Sequence, residues 1–329
     1  MRGIIMKKLL ISAIFLILGG LMPLYAKELP VNIAHRGACA YLPEHTLPAK
    51  ALAYGMEADY IEQDVVLTKD GKALVIHDIH LDTVTDVAQK FPGRARDDGR
   101  YYALDFTLAE IKTLKACERF DIASGTAVFA GRFPLWKSDF RLHTLEEEIE
   151  LIQGLNKSTG RNVGIYPEIK DPAWHRAQGH DISPVVIRIL ADYGYTKAED
   201  NIYLQCFDFE ELKRIRHELK CELKLIQLTE EDFDVAAVAS YANGIGPWIK
   251  QIITDIDANG RPILSDLATS AKAHGLKIHP YTFRADSLPA GMSADQLLET
   301  LFNQAGVDGI FSDFPDISRD FIRTRVKAK

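Results

Sequence analysis

Cysteine is scarce in this 329-residue chain: only Cys39, Cys117, Cys206 and Cys221 occur. Their spacing suits neither a zinc ribbon nor a CxxC redox centre, and the expectation is core thiols with at most one bridge among them. Long apolar runs are also rare. The one at the N-terminus, from Leu9 to Leu21, falls short of the ~20 apolar residues that span a bilayer. Arg2, Lys7 and Lys8 precede it and Tyr25-Ala26 follows, which is the layout of a cleaved secretory signal over residues 1–26. No cysteine closes the run, so lipid-anchored maturation has nothing to modify, and no stable membrane insertion is expected after cleavage. Positive charge is in deficit too: 39 Lys and Arg face 46 Asp and Glu, and losing three basic residues with the signal takes the net charge from −7 to −10. Such a chain lacks the concentrated basic face that nucleic acid requires. Small phosphoesters are not excluded, because one or two local cations can hold them.

What is present is alternation. Short apolar runs at 31–35, 59–68, 73–77, 163–170, 201–207, 223–228, 242–246, 277–283 and 308–312 alternate with longer helical patterns, the signature of an α/β fold. Between 68 and 73 lie only Lys69-Asp70-Gly71-Lys72. A parallel crossover needs a dozen or more residues, whereas an Asp-Gly pair marks a tight hairpin. The run at 73–77 should therefore fold back on its predecessor, setting position 77 opposite position 64. Eight parallel strands remain, the number of a (β/α)8 barrel. The segment 79–140 is too long for one connection and reads as an inserted cap, with a helix at 108–115 and a basic stretch at Arg94, Arg96 and Arg100 expected to be solvated. A helix over 144–158, with Thr144 as N-cap, returns the chain to a single barrel domain spanning 27–329.

Catalytic groups of such barrels sit at the C-terminal strand ends. The first strand ends in His35-Arg36-Gly37, the second carries Glu62 and Asp64 two apart on one face, and a later one carries Glu168 and Lys170 with the same spacing. Three carboxylates without cysteines make an oxygen-rich site for one hard divalent cation, Mg2+ or Ca2+. Arg36 and Lys170 suit an anionic substrate. His35 and His77, near-neutral in pKa, suit acid–base work, with either one as acid or base. Gln205, Phe207, Trp248 and Phe283 are candidates for lining the pocket, and Glu44 is a supporting acid behind the site, a first-turn helix acid or an extra ligand. The remaining histidines, His45 included, are expected in packing or surface roles, with His279 the one exception, on a strand two residues before Tyr281.

The ordered series His35-Arg36-Gly37-Ala38, Pro43-Glu44-His45-Thr46, Glu62-Gln63-Asp64, His77-Asp78, Pro167-Glu168-Ile169-Lys170, Gln205-Cys206-Phe207-Asp208, His279-Pro280-Tyr281-Thr282 and Ser312-Asp313-Phe314-Pro315 resembles the motifs of glycerophosphodiester phosphodiesterases. Asp97-Asp98-Gly99-Arg100-Tyr101-Tyr102 is similar to their bacterial periplasmic branch. The resemblance implies a phospholipase-C-like barrel with an inserted cap and a periplasmic location. It also implies Ca2+ at Glu62, Asp64 and Glu168, with Mg2+ as the alternative, His35 and His77 as the acid–base pair, and phosphate contacts from Arg36 and Lys170. The implied reaction releases sn-glycerol 3-phosphate and an alcohol from deacylated phospholipids such as glycerophosphocholine and glycerophosphoethanolamine. The implied partner is that small-molecule glycerophosphodiester, and a homodimer is compatible with these features. Two other readings share the scaffold: a phosphodiesterase of larger lipid headgroups, and a non-catalytic surface binding protein.

Overall fold

The computed structural model describes residues 29–326; the signal expected over 1–26 lies outside them. Among the described residues, eight parallel strands form a barrel: β1 (Val31–Ala34), β2 (Tyr60–Leu67), β3 (Gly164–Ile169), β4 (Tyr203–Cys206), β5 (Lys224–Thr229), β6 (Gly244–Pro247), β7 (Lys277–Ile278) and β8 (Gly309–Ser312). From β1 to β7 each strand pairs with the next, and β1 also pairs with β8. The ring closes between β7 and β8, where Asp308 N–H donates to Ile278 O at 2.9 Å and Phe283 N–H to Phe311 O at 2.8 Å.

The pleat sorts the side chains. Ile33, Tyr60, Tyr166, Ile226 and Phe311 fill a buried cluster of their own inside the barrel, while the intervening Ala34, Ile61, Ile165 and Leu225 join the larger core against the helices. Residues two further along β1, β2 and β3 are His35, Glu62 and Glu168. They share the inward parity and reach the C-terminal mouth as charge instead of bulk.

The hairpin is real, with a changed register. Val65 pairs with Val75 and Leu67 with Ala73, so Asp64 faces Ile76, its carbonyl accepting from the Ile76 N–H at 2.9 Å, and not His77. The loop has three residues rather than two: Thr68 N–H donates to Lys72 O, and Gly71 at φ 71° takes the left-handed position such a loop demands. His77 still reaches the same cavity as Asp64.

The helix at Leu145–Thr159 begins at Thr144, whose side chain accepts from the Glu147 N–H while Glu147 caps in return, and it stops at Gly160 with φ 74°. The helix expected at 108–115 is a single turn, Leu108–Ile111. Residues 81–116 with Phe140 and Leu142 build a second core on the outer face of the hairpin, against Val66, Leu74 and Ile76. The basic stretch serves this subdomain instead of facing solvent freely. Arg94 lies 4.0 Å from the Phe106 ring centroid, Arg96 forks onto Asp105, and Arg100 onto Asp82. An antiparallel pair, Ile253–Ile256 with Pro262–Leu264, was not expected, although Asn259-Gly260 marks its turn. All four cysteines are free and buried. No helix of the described residues is long and apolar enough to cross a membrane.

Candidate active site

A cavity of about 480 Å³ opens at the C-terminal mouth of the barrel. One half of its wall is charged: His35, Arg36, Glu62, Asp64, His77, Glu168 and Lys170. The other half is Phe207, Leu228, Trp248, Tyr281 and Phe311, with Gln205, Glu230, Thr282 and Arg284 between them. Nine of the sequence-derived site residues therefore line this cavity, Gln205, Phe207 and Trp248 among them, and a tenth, Arg36, joins from the loop after β1.

Phe283 does not. It is fully buried in the core between barrel and helices. Pro280 has no N–H to donate, so regular pairing ends at Ile278 and continues only as isolated bridges from Tyr281 to Trp248 and from Phe283 to Ser312. The side-chain alternation lapses there, and Tyr281, Thr282 and Arg284 line the cavity instead.

Glu62, Asp64 and Glu168 are buried, and one carboxylate oxygen from each lies within 4.8 Å of the other two. Glu62 accepts from the Arg36 backbone N–H at 2.8 Å and from Gln205 Nε2 at 3.1 Å. Glu168 meets Lys170 Nζ at 2.8 Å. Asp64 Oδ2 meets His45 Nε2 at 2.7 Å, while its buried Oδ1 has no hydrogen-bond donor. Burial, then the neighbouring Asp64 and Glu168, hold Glu62 well above the usual carboxylate range. Burial drives Glu168 up to about 8 against the pull of Lys170. For Asp64 burial is outweighed by Lys170 and His45, and its carboxyl falls well below the ordinary value. Three carboxylates so crowded resist common ionisation unless a cation joins them. The all-oxygen donor set and the orphaned Asp64 Oδ1 fit a hard divalent ion.

Each histidine has a carboxylate behind it. His35 Nδ1 lies 2.6 Å from Asp313 Oδ1, and His77 Nδ1 lies 2.5 Å from Asp78 Oδ1. An ionised carboxylate can only accept, so each Nδ1 carries the proton and each Nε2 is left for the cavity. Burial and Arg36 lower His35 to about 4; burial, Arg36 and Lys170 lower His77 as well. Asp313 stays ionised because His35, Arg284 and Arg132 outweigh its burial.

Arg36, at φ 57°, is held by Glu44 Oε2 at 3.0 Å, and Glu44 is shared with Arg119 at 2.7 Å. Glu44 is thus an anchor of two arginines. Arg119 also grips Asp78 at 2.6 Å, and Arg132 grips Asp313 at 2.6 Å, so the inserted segment steadies the carboxylate behind each imidazole. Asp78, Asp313 and His45 were legible in principle, since all three sit inside the motifs quoted above. Arg119 and Arg132 carried no local signal. His279 lies away from this cavity and packs against Tyr166, whose hydroxyl is 2.9 Å from its Nδ1.

A barrel whose mouth gathers a carboxylate triad, two carboxylate-backed imidazoles and the cations Arg36, Lys170 and Arg284 has the frame of an acid–base enzyme for an anionic ester. The family profile of glycerophosphoryl diester phosphodiesterases matches residues 35–317. A glycerophosphodiester phosphodiesterase of Haemophilus influenzae is 46% identical over 326 residues, covering 89% of this chain and 90% of that protein. One of Treponema pallidum is 38% identical over 323 residues, covering 88% and 91%. Among solved structures, an Oleispira antarctica phosphodiesterase in complex with the product sn-glycerol-3-phosphate superimposes with a TM-score of 0.63 at 21% identity, covering 90% of this chain and 98% of that one. The chain belongs to the glycerophosphoryl diester phosphodiesterase family.

Proposed function

We propose that this chain hydrolyses glycerophosphodiesters to sn-glycerol 3-phosphate and an alcohol. The single observation that carries the reading is the convergence of the Glu62, Asp64 and Glu168 oxygens with two Nε2 atoms on one cavity wall. Glu62, Asp64 and Glu168 would hold the divalent cation, Ca2+ first and Mg2+ as the alternative. When bound it neutralises charge on the phosphoryl group.

The remaining chemistry belongs to the chain. Arg36 and Lys170 draw the phosphate to the charged wall, and the Phe207, Trp248 and Tyr281 side takes the carbon skeleton. One imidazole enters neutral and accepts the proton of the attacking hydroxyl on its Nε2, while the other enters as imidazolium, protonated on both nitrogens, and gives its Nε2 proton to the leaving alcohol oxygen. If the glycerol hydroxyl attacks first, water opens the cyclic phosphate with the two roles exchanged. A cavity of about 480 Å³ suits a small deacylated ester better than an intact lipid. The signal-like layout of residues 1–26 supports a mature chain that works in the periplasm.

The test is release of glycerol 3-phosphate from a panel of glycerophosphodiesters, with and without chelator, beside a His77→Ala variant. Chelation should abolish release and added Ca2+ or Mg2+ restore it, and the variant should lose roughly 10²–10⁴ in kcat. Undiminished activity in the verified metal-free protein would overturn the reading. Headgroup release from intact phospholipid at a matching rate would redirect it to lipids.

A further inference from the structure

Behind the Asp64 carboxylate runs a buried polar chain that the proposed chemistry does not use. His45 Nε2 lies 2.7 Å from Asp64 Oδ2, and the other ring nitrogen, Nδ1, lies 3.2 Å from Lys50 Nζ. Lys50 is fully buried, and its ammonium faces three acceptors: His45 Nδ1, the Glu62 carbonyl oxygen, and Glu148 Oε1 at 3.1 Å. Glu148, equally buried, is held on its far side by His143 Nε2 at 2.7 Å and by Gln63 Nε2 at 2.7 Å. Gln63 is the residue between Glu62 and Asp64 on β2, so the chain clasps that strand from the helix side.

The donor count settles the direction of every bond. An ammonium has three protons and no lone pair, so His45 Nδ1 must accept from Lys50. An imidazole that accepts at Nδ1 carries its proton on Nε2, and that proton points at Asp64 Oδ2. The hydrogen bond occupies one oxygen of Asp64 and turns the other, the orphaned Oδ1, into the site. Lys50 also ties down the Glu62 carbonyl, so one buried ammonium positions both β2 carboxylates. Such outer partners of a metal ligand are commonly worth 10–100-fold in metal affinity.

We infer that Glu148, Lys50 and His45 form a positioning relay that sets the His45 tautomer and thereby aims Asp64 at the cation. The inference rests on the metal role proposed above for Glu62, Asp64 and Glu168. The local build agrees with it. Gly37, at φ 90°, lets the helix Leu47–Gly55 close in: a Cβ there would come within 2.9 Å of the Ala49 backbone and 3.1 Å of Lys50 Cδ. His45 itself is held at φ 52°, in the left-handed region that residues other than glycine enter uncommonly.

Titration calorimetry of the chelated full chain with CaCl2 and MgCl2 tests the relay directly, on wild type, His45→Leu, His45→Gln, Lys50→Met and the double variant Lys50→Met/Glu148→Gln. The double variant removes the buried acid together with its cation, which keeps the experiment usable if Lys50→Met alone fails to fold. His45→Leu and the double variant should bind the ion roughly 10–100-fold more weakly, while His45→Gln, which keeps an N–H donor, recovers most of the affinity. Equal affinities in wild type, His45→Leu and the double variant would overturn the relay and leave the metal reading standing. A wild type that binds neither ion would sink both.

Discussion

At the scale of single residues, ionisation here is decided by neighbours more than by side-chain type. His35 and His77 are ordinary imidazoles on rigid elements. The Asp313 and Asp78 carboxylates behind them choose the tautomer, and each of those is gripped by an arginine from the inserted segment. Asp313→Asn removes the charge that orients His35 while keeping the shape. It should lower kcat by roughly 10²-fold or more, within the span of acid–base contributions, and leave affinity for a divalent cation unchanged because Asp313 is not among the three clustered acids. Steady-state kinetics beside ion titration checks both halves. Phe283 shows the opposite lesson: a large aromatic near a strand end became core once Pro280 had ended the regular pairing.

At the scale of elements, the placement of glycine and the pleat carry most of the design. Strand parity alone put Glu62 with Asp64, and Glu168 with Lys170, on the inner face. The hairpin loop took in Lys69 beside Asp70 and Gly71, which shifted the register by one and still delivered His77 to the cavity. Gly37 is the most constrained of these positions, needing both a positive φ and an empty Cβ site. Gly37→Ala should destabilise the fold by about 1–3 kcal/mol from backbone strain alone, read as a lowered urea midpoint. The helix carrying Lys50 must also move away from β1. Helix starts were legible where a capping pair was present, as at Thr144 and Glu147. The expected helix at 108–115 shrank to one turn, and by Ala116 the backbone pairs instead in antiparallel bridges with Thr85 and Phe140.

At the scale of the molecule, the insertion and the barrel are not separable. The outer faces of Val66, Leu74 and Ile76 are covered by residues of the insertion, and its Arg119 and Arg132 reach the acids behind the histidines. Deleting 79–140 should therefore give aggregated or unfolded protein instead of a bare barrel, because those three apolar side chains would face water. Soluble yield and circular dichroism of the deletion check this. A folded, active remnant would contradict it.

Eight strands, one reversed hairpin and the identity of the acids were determined by the sequence alone, because hydrophobic period and turn chemistry are local and a parallel crossover has a minimum length. The carboxylate trio and the histidine pair were readable for the same reason: each lies at a strand end whose parity can be counted. Only the tertiary structure decided which groups stand behind them. Asp313 reaches His35 across 278 residues, and Arg132 comes from a segment with no periodic signal. Lys50, a lysine on a short helix, gave no hint that it would be fully buried. Contacts between distant segments depend on how the layers close over one another, and no local pattern encodes that.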